Sequence, residues 1–174
     1  TGPGHAFQGA LDRLRTTLRR ARRFADLWRF LLCIVFYQAG IQTVITLAAI
    51  YAEQAMGFST TQTLLLLIVT NLTASVGALV FGQVQDRIGH RATLATTLAL
   101  WIGTVLLVWA AQGAVVFWIG ANLVGICLGA SQSAGRALVG YLSPERHVGE
   151  FFGLWGLAVK LSSIIGPVTY GLVS

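Results

Sequence analysis

Charge is the scarcest property of this chain. Of its 174 residues only 10% are Asp, Glu, Lys or Arg, where a soluble domain carries about a quarter. So little charge cannot cover a water-exposed surface. With 55% hydrophobic residues and a mean hydropathy of +0.72, the expected solvent is a lipid bilayer. The cysteines number two, Cys33 and Cys127, each alone in an apolar run. They give neither a zinc spacing nor a disulfide framework and read as small core residues. Three scattered histidines form no metal-ligand cluster, so no metal or cofactor is expected. An intramembrane enzyme is disfavoured as well. There is no His-Glu-x-x-His, no Gly-x-Ser-x-Gly and no pair of deep carboxylates. The single methionine, Met56, is internal, and no signal-peptide pattern opens the chain. The expectation is a fragment of a longer protein.

The net charge of +6 is uneven. Arg13, Arg15, Arg19, Arg20, Arg22, Arg23 and Arg29 all precede or open the first apolar run. No aromatic platform or reader motif accompanies them, so nucleic acid is not the expected partner. A basic segment abutting a membrane helix marks the cytoplasmic side and touches anionic lipid. Residues Thr1 to Gly9 are Gly-rich and read as loose. From Leu11 onward, Leu14, Leu18, Ala21, Ala25 and Trp28 recur at helical spacing. This predicts an amphipathic helix in the interface plane that feeds directly into the first span. Residues 1–26 therefore form a basic cytoplasmic linker.

Five apolar spans follow, at 27–50, 60–84, 92–111, 115–138 and 151–172. Each is near the roughly 20 residues a bilayer crossing needs. The first, third and fifth gaps are basic. The second has Glu53 and no cation, and the turn around Gln112-Gly113 is uncharged. That alternation obeys the positive-inside rule. It puts the N-terminus in the cytoplasm and Ser174 near the outer surface, with helices missing at both ends. The expected location is the plasma (inner) membrane of a prokaryote. Trp101, Trp109 and Trp118 read either as interfacial anchors or as lipid-facing bulk. Small residues repeat every four positions at Ala74/Ala78/Gly82, at Ala121/Gly125/Gly129/Ser133 and at Ala158/Ser162/Gly166. Such stripes let helix backbones approach closely.

Three stretches carry a family resemblance. Gly82 to Arg91 reads Gly-x-x-x-Asp-Arg-x-Gly-x-Arg, a short basic hairpin between two apolar runs. In the first span, Tyr37-Gln38-Ala39-Gly40-Ile41-Gln42-Thr43-Val44 is similar to Tyr-Asn-Asp-Gly-x-x-Thr-Val. Gly129-Ala130-Ser131-Gln132-Ser133-Ala134-Gly135-Arg136, then Pro144 and Glu150-Phe151-Phe152-Gly153, is similar to Gly-Gly-x-Gln-Ala-x-Ser-Arg … Pro … Glu-Phe-Phe-Gly. Together they resemble the major facilitator superfamily of transporters, and more narrowly its vacuole-effluxer-like branch, which is associated with amino-acid efflux. The resemblance implies an all-α membrane protein and a partial major facilitator fold. It would be the C-terminal half, from the central linker through the seventh to eleventh of twelve helices. Gln38-Ala39 stands where the branch has Asn-Asp, so an acidic coupling residue is absent. Gly135 likewise replaces the usual Ser.

Function would then be secondary transport of a small solute by alternating access, at a site shared with the missing N-terminal half. A lipid or drug exporter of the same fold is one alternative. A transporter-like sensor or scaffold that moves no solute is another, and Ala39 lends it some support. Lys160 lies about ten residues, roughly 15 Å of helix, into the fifth span. A charge that deep is a functional-site hypothesis. Its partner would be water, a substrate carboxylate or an acidic residue of the missing half. Gln38, Gln42 and Thr46 share one face of the first span. With Asn71 and Gln132 they complete the expected substrate-binding set. Gating is expected at the basic end, through Gly82, Asp86, Arg87, Gly89, Arg91, Arg136 and Glu150. By the resemblance Asp86 meets Arg136, and Glu150 is placed to join Arg87 or Arg91. A bend is expected at Gly166-Pro167.

Overall fold

Long apolar sequences become long helices once their ends are closed, and the closures on either side of α3 are visible. A computed structural model describes residues 3–54, 57–110 and 113–173. Among them every regular element is helical: α1 (Pro3–Ala21), α2 (Ala25–Gln54), α3 (Thr60–Ile88), α4 (His90–Trp109), α5 (Ala114–Leu142), a single 3-10 turn (Glu145–His147) and α6 (Val148–Val173). Ser59 caps α3 reciprocally. Its hydroxyl accepts from the Gln62 N–H at 3.3 Å and its own N–H donates to Gln62 Oε1 at 2.9 Å. One residue, Gly89, separates α3 from α4. Its φ of +83° and ψ of 162° belong to a region open essentially to glycine alone. The Gly89 N–H closes on Gln85 O at 2.9 Å, and the Thr93 N–H and hydroxyl both donate to Gly89 O. The hairpin is thus tighter than the gap between spans 60–84 and 92–111 implied. Five helices, α2 to α6, are long and apolar enough to cross a membrane.

Two expectations at the N-terminal end are corrected. Residues 3–9 are helical rather than loose. The helix expected to run unbroken from Leu11 past Trp28 instead ends at Ala21. The Arg23 and Phe24 N–H groups bond back three residues, to Arg20 O and Ala21 O, which tightens the chain into a turn. That change of direction buries both Ala21 and Leu27. It also sets Phe24 edge-on to Phe151 at 5.8 Å and Arg22 over the Trp28 ring at 5.0 Å. Thr1, Gly2, Ala55, Met56, Ala111, Gln112 and Ser174 lie outside the described residues.

α5 is the central element. It packs most extensively on α3 and also on α4, while α2 packs on α6. The small-residue stripes explain two of these interfaces. A Cβ at Gly129 would overlap the Ala74 carbonyl, and a Cβ at Gly125 would overlap Thr70 O and Thr73 Oγ1, so α3 and α5 run backbone to backbone. Gly166 meets Ala39 O and Thr43 Oγ1 in the same way at α2–α6. α6 continues through Pro167 as one helix. Apolar packing collects in three clusters. One lies toward the basic end around Ile34, Leu138 and Phe151, a middle one holds Ile41, Trp101 and Cys127, and one at the opposite end holds Leu66 and Phe117. Trp101 is buried, with its indole N–H on Ser131 Oγ at 3.4 Å. It pins α4 to α5 and does not anchor an interface. Trp109 is exposed, and Trp118 lies beside Phe58.

Candidate functional site

Most hydroxyl and amide side chains in these helices bond back to a carbonyl of their own helix. A cavity of about 340 Å³ opens between α2, α3, α4 and α5. Gln42 from α2, Thr63, Thr70 and Asn71 from α3, and Gln132 from α5 supply its polar lining. Phe117, Val124 and Leu128 are among its apolar walls. A second cavity, of about 690 Å³, continues from Asn71, Leu128 and Gln132, which line both, toward the basic end. There it is lined by Ser75, Ser133 and Arg136. Three expected binding residues, Gln42, Asn71 and Gln132, therefore meet, although they come from three helices.

The other expected binding residues fall elsewhere. Gln38 is buried one turn from Gln42, lines neither cavity, and its Nε2 has no hydrogen-bond partner among the described residues. Thr46 is exposed and donates to Gln42 O at 3.0 Å. Lys160 is exposed on α6, outside both cavities and without an ion pair among the described residues. Thr63 is a lining residue that sequence reading missed. It is buried, and its Oγ1 has no partner among the described residues. Its spacing of seven from Thr70 places both on one face of α3, which is the signal that could have found it.

At the basic end the pairing differs from expectation. Glu150 joins neither Arg87 nor Arg91. Its two carboxylate oxygens accept from Arg20 Nη1 at 2.8 and 2.7 Å, with His147 Nδ1 3.6 Å away. The reason is the turn after Ala21, which lays α1 against the start of α6. Arg91 instead reaches Asp26 at 3.5 Å, and Arg29 approaches the same carboxylate at 4.0 Å. Asp86 and Arg87 are exposed and make no ion pair among the described residues. Arg136 does not meet Asp86. Its guanidinium lies over the Trp155 ring, 5.2 Å from the centroid. Gly82 faces Ser133 across α3–α5, and Gly89 is the pivot of the hairpin. Gln85, buried beside that pivot, approaches His90 Nδ1 at 2.6 Å.

Membrane-length helices in this order, packed through small residues around cavities with a partly polar lining, define a multi-pass helical membrane protein with a partial major facilitator fold. The chain belongs to the family described as vacuole effluxer Atg22 like, whose sequence profile matches residues 4–174. It is 29% identical over 94% of its length to the uncharacterized MFS-type transporter YxiO of Bacillus subtilis, covering 38% of that protein. It is 27% identical over 90% of its length to Autophagy-related protein 22 of Cryptococcus neoformans, covering 32% of it. The corresponding protein of Candida glabrata is 25% identical over 92% of the chain. The chain thus spans about a third of the length of the curated relatives it matches. No solved structure matches it.

Proposed function

We propose that the whole protein moves a small solute across a membrane by alternating access, and that this chain supplies one wall of the binding site. The observation that carries the reading is the convergence of Gln42, Asn71 and Gln132 on one cavity inside the bundle. Amides there offer donors and acceptors to a solute without the desolvation cost of a buried charge. Amino acids are the solute class that fits the family resemblance, with efflux as the direction. Lys160 would take an anionic group, or an acidic partner, presented from the rest of the protein. Asp86, Arg87, Arg91, Arg136 and Glu150 would form and break contacts at the basic end as the halves rock, with Gly82 and Gly89 holding the hairpin. That end would face the cytoplasm, in the plasma membrane if the source is prokaryotic, where the exposed arginines of α1 would meet anionic lipid.

The apolar walls around Phe117 and Leu128 favour a second reading, a lipid or drug exporter of the same fold. A sensor or scaffold would carry no solute at all. Full-length protein in proteoliposomes with an imposed pH gradient separates the three. Amino-acid flux that falls in Gln132→Ala and Lys160→Met, with expression retained, is the expected result. Flux of lysolipid or drug alone would favour the exporter. A well-folded protein that moves none of these would overturn transport.

A further inference from the structure

We infer that Arg136 is the anion-reading end of this binding path, and that the path takes an organic carboxylate with an apolar body. The inference rests on the cavity reading above but does not require turnover. Arg136 is the one charged residue among those lining either cavity. It lies six residues from the end of α5, roughly 9 Å into the helix. It is exposed at the basic end of α5, in the last turn of the 115–138 span. Among the described residues it has no carboxylate partner, and its neighbour is the face of Trp155. A guanidinium beside a ring face keeps N–H groups that can receive a carboxylate in bidentate fashion.

The residues around it suit that role. Gln132 lies one turn away and Ser133 nearly so, on the same helix and lining the same cavity, and neither side chain has a hydrogen-bond partner among the described residues. Beyond Gln132 the lining changes character. Leu128, about 12 Å of helix from Arg136, belongs to both cavities, and Val124 and Phe117 follow in the first. Among the described residues no acidic side chain lines either cavity. The path is therefore cationic at one end, amide-lined in the middle and mostly apolar at the other, where Thr63 adds a hydroxyl. An anionic head with a greasy tail matches that sequence of surfaces, and a cation does not.

The test uses full-length protein in detergent with every native cysteine, Cys33 and Cys127 included, replaced by Ala. Ala137→Cys, next to Arg136 and lining the same cavity, reports local potential. It is reacted with an anionic methanethiosulfonate (sulfonatoethyl) and a cationic one (trimethylammonioethyl), and each rate is divided by that of a free thiol. A nearby uncompensated guanidinium should favour the anionic reagent by about tenfold or more. Arg136→Gln should abolish the preference and Arg136→Lys should keep most of it, with all variants monodisperse. Octanoate should then protect the cysteine and its neutral isostere octanamide should not, with the difference lost in Arg136→Gln. An unchanged reagent preference in Arg136→Gln, or equal protection by acid and amide, would overturn the inference. Failure of transport alone would leave these rates unmoved and would count only against the proposed function.

Discussion

Gly129→Ala is the substitution on which the packing argument is most exposed. The added methyl would overlap the Ala74 carbonyl oxygen and crowd Ala78 N. Both are backbone atoms, so no side chain can swing aside. An ordinary carbon–oxygen contact is about 3.3–3.6 Å, so α3 and α5 must part locally by roughly 1–2 Å. One facing turn of each helix brings together roughly 30 atom pairs worth about 0.1–0.2 kcal/mol each, and a gap of 0.5–1 Å already forfeits a quarter to a half of that, about 1–3 kcal/mol. Lipid offers no hydrophobic drive to restore the contact, because its tails are as apolar as the helices. The matched control is Gly103→Ala on α4, where a Cβ meets nothing within 4 Å. That change should be neutral or stabilising by about 0.5–1 kcal/mol, since glycine weakens a helix interior. Thermal unfolding of the full-length protein in detergent, followed by fluorescence-detected size exclusion, should show Gly129→Ala melting a few degrees lower and Gly103→Ala unchanged or higher. Equal melting temperatures, or greater damage from Gly103→Ala, would refute close backbone packing as the basis of α3–α5 association.

Further outcomes follow from the same geometry. Gly89→Ala forces a Cβ into a backbone region reserved for glycine and should cost about 1–3 kcal/mol, read as lower thermal stability. Gln38→Leu removes a buried amide nitrogen with no partner, so stability should rise by about 1 kcal/mol. If Gln38 serves a solute in another state of the cycle, transport should fall at the same time. Glu150→Gln breaks a partly exposed ion pair to Arg20 worth about 0.2–1 kcal/mol, too little to change global melting. Its visible effect should be faster tryptic cleavage at Arg22 and Arg23, as α1 loosens from α6.

The sequence alone carried the spans, their basic and non-basic gaps and the small-residue stripes, for one reason. Lipid forces each crossing to satisfy its own backbone, so a span is a local property of about 20 consecutive residues. The stripe at Gly125 and Gly129 was legible for the same reason, because its spacing repeats with the helix. Which helix each stripe would meet was not legible. Gly129 against Ala74, and Gly166 against Ala39, are decided by packing between segments distant in sequence. The same holds at the site. Gln42, Asn71 and Gln132 were each visible as polar residues in apolar runs, yet their convergence on one cavity, and the absence of Lys160 from it, depend on how α2, α3 and α5 are rotated about their axes. Arg20 reaches Glu150 only because the chain turns after Ala21, and Arg136 rests on Trp155 only because α6 lies beside α5. Charge pairing is settled by a few ångströms of tertiary placement, which no periodicity along one chain can encode.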